Sequence, residues 1–105
     1  MKIASQEDIE EFVDELREVV GDSFEKAVLY GSYARNEHDT GSDIDLAIIV
    51  SGEVDEDKVF ELVDDYRHKR DLAFSPRFFT EEEFETRLEE GYNFYENVDR
   101  EGVEI

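Results

Sequence analysis

Gly31, Ser32, Asp43 and Asp45 are residues whose types and spacing suit phosphate and metal chemistry, and all four lie in the stretch Tyr30 to Val50, YGSYARNEHDTGSDIDLAIIV. Gly31 has no Cβ, so the chain after a strand can turn sharply and come close to a ligand. Ser32 reads as the opening of a helix, where free backbone N–H groups and the helix dipole favour an anion and the hydroxyl adds a donor. A triphosphate fits such a cradle. On a strand, Asp43 and Asp45 project from one face with Cα atoms about 6.5 to 7 Å apart, while Ile44, Leu46, Ile48 and Val50 point the opposite way, toward a core. Two carboxylates beside an anion cradle repel one another unless they share hard cations. Mg²⁺ is the natural occupant, held by carboxylates, water and the phosphates themselves. A pair of such ions can bridge a nucleophile, the reacting phosphorus and a leaving pyrophosphate. Taken singly, a Gly-Ser turn is most often only a turn, and an Asp-x-Asp in a chain with 12 Asp is most often a solvated edge. Their order along one strand, turn, polar loop and second strand gives the reading its weight.

The elements that must position these residues follow from periodicity. Ser5 with Asp8 three residues later makes a capping-box start. Ile9, Phe12, Val13, Leu16 and Val20 recur at helical spacing until Gly21 stops the pattern. Ala27 to Tyr30 is a short buried strand running into Gly31-Ser32, and Ile44 to Val50, rich in β-branched residues, is a central strand. Asp55 to Lys69 carries Val59, Leu62, Val63 and Tyr66 at helical spacing. Leu72 to Phe79 reads as a third strand, which Pro76 assigns to an edge or bulge. Thr80 with Glu83 opens a last helix bearing Phe84, Leu88, Tyr92 and Tyr95, and Val98 to Ile105 reads as a closing strand. The expectation is an α/β (α+β) fold, a small mixed sheet flanked by helices, in a single domain over residues 1–105.

Composition bounds the function. The chain has 31 Asp and Glu against 11 Lys and Arg, a formal charge of -20. Affinity for nucleic-acid phosphates comes from clustered basic residues, so direct nucleic-acid binding is not expected. No apolar run approaches the roughly 18 residues of a membrane span, and no basic-then-apolar leader pattern opens the chain, so a soluble cytoplasmic protein is expected. The absence of Cys excludes disulfides, thiolate metal sites and a Cys nucleophile. The 13 aromatic residues argue for a real core despite the charge. Carboxylates coating a folded surface are tolerable where concentrated salt screens them, and we read the acidity as adaptation to such a solvent.

GSYAR followed by SDIDLAII resembles the minimal nucleotidyltransferases of the DNA polymerase beta superfamily, whose pattern is Gly-Ser, a spacer, then Asp-x-Asp. The similarity runs over nearly the whole chain, including the FTEEEFE helix start and the closing NVDREGVEI. It implies that Gly31 and Ser32 bind nucleotide phosphates and that Asp43 and Asp45 bind metal, with two Mg²⁺ ions and ATP as substrate. Relatives of this size are commonly encoded beside a small helical HEPN protein, a ribonuclease toxin, as its antitoxin, and some transfer AMP to a tyrosine of that partner. The implied function is therefore AMP transfer to a HEPN partner. The alternative is a catalytically degenerate member that neutralises its partner by binding alone.

The resemblance also implies a third carboxylate on the next strand, as base or metal ligand. If that strand pairs so that Asp71 lies opposite Asp45, then Asp71 completes a catalytic and metal-binding triad. Anchoring on the FTEEEF helix start instead puts Ser75 or Arg77 at that place, and an Arg there could contact phosphate or a carboxylate but could serve neither as base nor as ligand. Asn36 stands where the pattern often has Gly, a mild change because Asn tolerates left-handed backbone. Arg35 reads either as a nucleotide-phosphate contact or as a structural ion pair. His38 and His68 are expected to be exposed. The RHKRD cluster ending at Asp71 suits a helix C-terminus meeting its dipole, or contact with an acidic partner or RNA. Surplus C-terminal aromatics and the small size allow a partner interface or a homo-oligomer.

Overall fold

The structure, a computed structural model, describes residues 2–105. Helix α1 spans Gln6–Val20. Its start is the capping box read from the sequence: Ser5 Oγ accepts from the Asp8 N–H at 3.1 Å, and the Asp8 carboxylate accepts from the Ser5 N–H at 2.9 Å. A 3-10 turn over Gly21–Ser23 leads into β1, Phe24–Tyr30. β2 is Ile44–Val50, α2 is Glu56–Arg70 and β3 is Phe74–Phe79. Two short helices, α3 (Glu81–Glu89) and α4 (Asn93–Glu101), precede a brief β4, Val103–Glu104.

The strands form one mixed sheet in the order β3-β2-β1-β4. β1 runs antiparallel to both β2 and β4, and β3 runs parallel to β2. Pro76 lies on β3, at the sheet edge, where its missing N–H costs no ladder bond. β2 is buried along its whole length except at Asp45, because helices cover both faces. On one face Ile44, Leu46, Ile48 and Val50 join Ala27, Leu29 and Phe74 beneath Phe12, Leu16, Val59 and Tyr66 of α1 and α2. On the other, Ala47 and Ile49 join Val28, Tyr30 and Phe79 beneath Phe84, Phe94, Tyr95 and Val98 of α3 and α4. This double burial explains why the run IDLAIIV is apolar at nearly every position.

The structure differs from the expectations at three places. The third strand starts at Phe74 rather than Leu72. Asp71 instead ends α2 in the left-handed region, with φ 57°, its N–H donating to the carbonyls of Arg67 and Tyr66 and its own carbonyl accepting from the Lys2 N–H at 3.0 Å. The expected single C-terminal helix breaks in two near Gly91, whose φ is 82°, a conformation open to glycine at no cost. Val98, expected on a closing strand, lies buried in α4, and only Val103 and Glu104 pair with β1.

The basic cluster at the end of α2 is largely engaged within the fold. Arg70 makes a two-pronged pair with Glu11 of α1, at 2.7 and 2.6 Å, which holds the Glu11 carboxyl below its usual range. Lys69 lies 3.8 Å from Asp65, and His68, exposed as expected, lies 3.2 Å from Asp64. Among the described residues no charged side chain is buried, so the acidic residues repel one another across the surface. Raising KCl from about 0.1 M to about 1 M shortens the screening length from about 10 Å to about 3 Å. The melting temperature is expected to rise across that range in a thermal scan, and a flat profile would show that surface repulsion does not limit stability. Phe12, fully buried, stacks on Phe74 at 3.9 Å and meets Tyr66 edge-on at 5.1 Å. Phe12→Ala should cost about 3–5 kcal/mol, read by urea unfolding at fixed salt.

Candidate active site

The last residue of β1, Tyr30, pairs with Asp45 near the start of β2, so both side chains share one sheet face. Gly31 follows with φ 77°, and a Cβ built on it would lie 2.5 Å from Asp45 Oδ2. The Asp45 carboxylate thus occupies the space that any other residue at position 31 would fill. The segment 31–36 is a coiled turn rather than the helix start expected at Ser32: the Arg35 N–H donates to the Gly31 carbonyl at 3.1 Å and the Glu37 N–H to the Ser32 carbonyl at 2.8 Å. Asn36 takes the left-handed conformation that its residue type tolerates, with φ 58°.

This turn is anchored by Tyr33, which is buried, accepts from the Ala4 N–H at 2.9 Å and stacks on His38 at 3.9 Å. His38 is therefore half-buried against Tyr33, not exposed as its polar loop suggested. Beyond it Asp39 closes a tight turn, its Oδ1 accepting from the Gly41 N–H at 2.8 Å, while its own N–H donates to Ser42 Oγ at 3.0 Å. That turn delivers Asp43, exposed, to the start of β2.

Asp45 is half-buried, and its carboxyl is held above the usual range, first by burial and then by the charge of Asp43; Arg77 and Arg35 pull it back down. The Tyr30 hydroxyl is likewise raised, first by burial and then by Asp45, and Arg77 opposes both. Two adjacent carboxylates, one of them short of solvent, form a donor set that a hard divalent cation satisfies through oxygen ligands. Arg35 is already engaged, 2.7 Å from Glu37 and 3.3 Å from Glu101 of α4. Of its two readings, the structure displays the ion pair.

The β2–β3 register places Ser75 opposite Asp45 and Arg77 opposite Ala47. Asp71, at the end of α2, is not part of that ladder, so of the two pairings open in the sequence the fold adopts the one anchored on the FTEEEF helix start. Among the described residues no group of three or more His, Cys, Asp or Glu gathers in a metal-binding arrangement. The site thus assembles Gly31, Ser32, Asp43 and Asp45 with Tyr30, Ser75 and Arg77. Tyr30 escaped the reading of the sequence although its signal was present: the residue just before the Gly-Ser turn faces whatever the second carboxylate faces.

The model of the nucleotidyltransferase domain family matches residues 9–99. The chain belongs to that family. Among its nucleotidyltransferase relatives, two proteins of Methanocaldococcus jannaschii each bear the name "Putative protein adenylyltransferase". One is 34% identical over 94 residues, covering 90% of this chain and 90% of its own, and the other is 28% identical over 100 residues, covering 92% and 94%. A crystallised toxin-antitoxin with AMP-PNP superposes with a TM-score of 0.62 at 19% identity, over 90% of this chain and 70% of that one. A mutant of the toxin-antitoxin MntA-HpeT superposes with a TM-score of 0.62 at 16% identity, over 98% and 72%. These structures agree with the mixed sheet and its helices. Among the described residues no helix is long and apolar enough to cross a membrane.

The Gly31 contact makes a prediction with its own control. Gly91 has a similar φ of 82° but nothing within 4 Å of its built Cβ, whereas Gly31 meets Asp45. Gly91→Ala should cost about 1–2 kcal/mol for the left-handed backbone alone. Gly31→Ala should cost more, because Asp45 must also move. Equal losses in urea unfolding would show that the carboxylate steps aside freely.

Proposed function

We propose that this nucleotidyltransferase transfers a nucleoside monophosphate, AMP from ATP, to a partner protein, and that the pair is a cytoplasmic toxin-antitoxin system in which this chain is the antitoxin and a HEPN-type protein the toxin. The observation that carries the reading is the contact of Gly31 with the Asp45 carboxylate, beside Asp43, at the end of a β1–β2 hairpin. It juxtaposes a turn fit for phosphate with a carboxylate pair fit for metal. The relatives named for protein adenylylation and the toxin-antitoxin neighbour with AMP-PNP support the same direction.

Asp43 and Asp45 would hold Mg²⁺, which when bound supplies Lewis-acid polarisation of the phosphates and of the leaving pyrophosphate. Every other task falls to the chain. Gly31 lets the backbone come close to the phosphates, and Ser32 offers a hydroxyl donor at the same turn. Half-burial of Asp45 strengthens its electrostatic hold on a cation relative to open water. The proposal leaves Asp71 out of the ligand set because of its place at the end of α2. In this reading the partner presents its own nucleophile.

A second reading has a specific observation behind it: Ser75, not a carboxylate, faces Asp45. A site short of that group could bind nucleotide and partner without turnover. The test is transfer of α-labelled ATP, with Mg²⁺ in concentrated KCl, to the co-expressed partner or to a lysate of the source organism. The wild type should label one small protein. Asp43→Asn and Asp45→Asn should each lower labelling by more than about a hundredfold, as expected when several kcal/mol of charge stabilisation is lost. Absence of label, with the same partner co-purifying with wild type and both variants, would establish the binding-only reading.

A further inference from the structure

We propose that Arg77 is a phosphate-contacting residue of this site, supplying fixed positive charge to the bound nucleotide on the sheet face that Asp45 occupies. The inference rests on the nucleotidyltransferase reading above and adds to it the residue that takes up charge where a third carboxylate with its cation is absent.

The register gives the first argument. Tyr30, Asp45 and Ser75 form one row across the sheet, and Val28, Ala47 and Arg77 form the next row on the same face. Val28 and Ala47 lie under the apolar layer of α3 and α4. An arginine in that row cannot leave its head among apolar groups and must carry it outward along its stem. It does so across the aromatic layer, its guanidinium 4.5 Å from the Phe94 ring centre and 5.8 Å from that of Phe79. Its charge then bears on Asp45 and Tyr30, the two half-buried groups at the mouth of the site.

The second argument is availability. Arg35 also borders the site, but Glu37 and Glu101 engage it. Arg77 makes no ion pair within 4.0 Å among the described residues, although the chain carries 31 acidic side chains. A guanidinium offers five N–H donors in a planar fork suited to phosphate oxygens. Phe94 supports the guanidinium at 4.5 Å, beside the Tyr30 hydroxyl, which Arg77 also influences. A polyphosphate brought beside Asp43 and Asp45 adds several negative charges to a site that already carries two. With Ser75 in place of a carboxylate, the capacity to hold a second cation falls, and Arg77 is the side chain positioned to supply that charge.

The experiment measures binding rather than turnover, at fixed KCl, with Mn²⁺ alone and then with AMP-PNP in the presence of Mn²⁺, by titration calorimetry on the full chain. Arg77→Met keeps the apolar stem on Phe94 and removes the charge, and Arg77→Lys keeps charge without the fork. Arg77→Met is expected to weaken AMP-PNP binding about tenfold or more, as for loss of a charged hydrogen bond, while Mn²⁺ binding alone is unchanged or tighter because a like charge has gone. Arg77→Lys is expected to fall between the wild type and Arg77→Met. AMP-PNP affinity within twofold of wild type in Arg77→Met would overturn the inference and leave the proposed function standing. Equal losses of Mn²⁺ and AMP-PNP affinity, with a lowered melting temperature, would also overturn it by making Arg77 structural. A wild-type chain that binds neither probe would overturn the function itself, and this inference with it.

Discussion

The contact between the Gly31 backbone and the Asp45 carboxylate fixes the rest of the site. Asp45 Oδ2 lies 2.5 Å from where a Cβ at position 31 would be, so the turn after β1 and the start of β2 approach one another more closely than a side chain at position 31 would allow without Asp45 moving. Much of the local structure serves that approach. Tyr33 ties the turn to the segment before α1 and takes His38 as a stacking partner, and Asp39 folds the polar loop back so that Asp43 arrives beside Asp45. The carboxylate is left half-buried beside a second carboxylate, and burial and that neighbouring charge raise its pKa while Arg77 and Arg35 oppose the shift.

The sheet explains why such an arrangement can be rigid in so short a chain. β2 is covered on both faces, by α1 and α2 on one and by α3 and α4 on the other, and its one residue that is only half-buried is Asp45. Any rotation of β2 that moved Asp45 would drag Leu46, Ile48 and Val50 out of one core and Ala47 and Ile49 out of the other. Close packing makes that motion costly. The position of the Asp45 carboxylate is thus set by the apolar residues on either side of it in β2.

How much of this was legible in the sequence depends on how local each cause is. The α1 capping box and the edge placement of Pro76 rest on spacing within a few residues and could be read directly. The third strand was harder, because its start depends on where α2 stops. Asp71 takes the left-handed cap of α2 with φ 57°, a conformation usual for glycine, and nothing in DLAFSPRF announces that an aspartate will adopt it. Moving the strand start to Phe74 changes which side chain faces Asp45, from Asp71 to Ser75. Period-two patterning fixes which residues share a face but not the register between strands, which tertiary packing decides. The break near Gly91 was hidden for a related reason: Phe84, Leu88, Tyr92 and Tyr95 keep helical spacing across it, and Phe84 and Tyr95 pack in one aromatic layer. His38 was misjudged because burial by stacking on Tyr33 is a contact across a loop, without periodicity.

The distribution of the few cations completes the argument. A chain with a net charge of -20 has 11 Lys and Arg, and where it places them shows which carboxylates most need help. Arg70 clamps α1 to α2 through Glu11, and Arg35 ties the phosphate turn to α4 through Glu101. Both are structural uses, each joining elements distant in sequence. Lys69 and His68 answer carboxylates one helical turn away on α2, where an exposed pair contributes little. Arg77, by contrast, lies at the mouth of the site. There Arg77 rests on Phe94 with its charge directed at Asp45 and Tyr30. Salt shortens the reach of every exposed charge, so the half-buried Asp45 and Tyr30, with Arg77 beside them, are where a fixed charge acts most strongly in this fold.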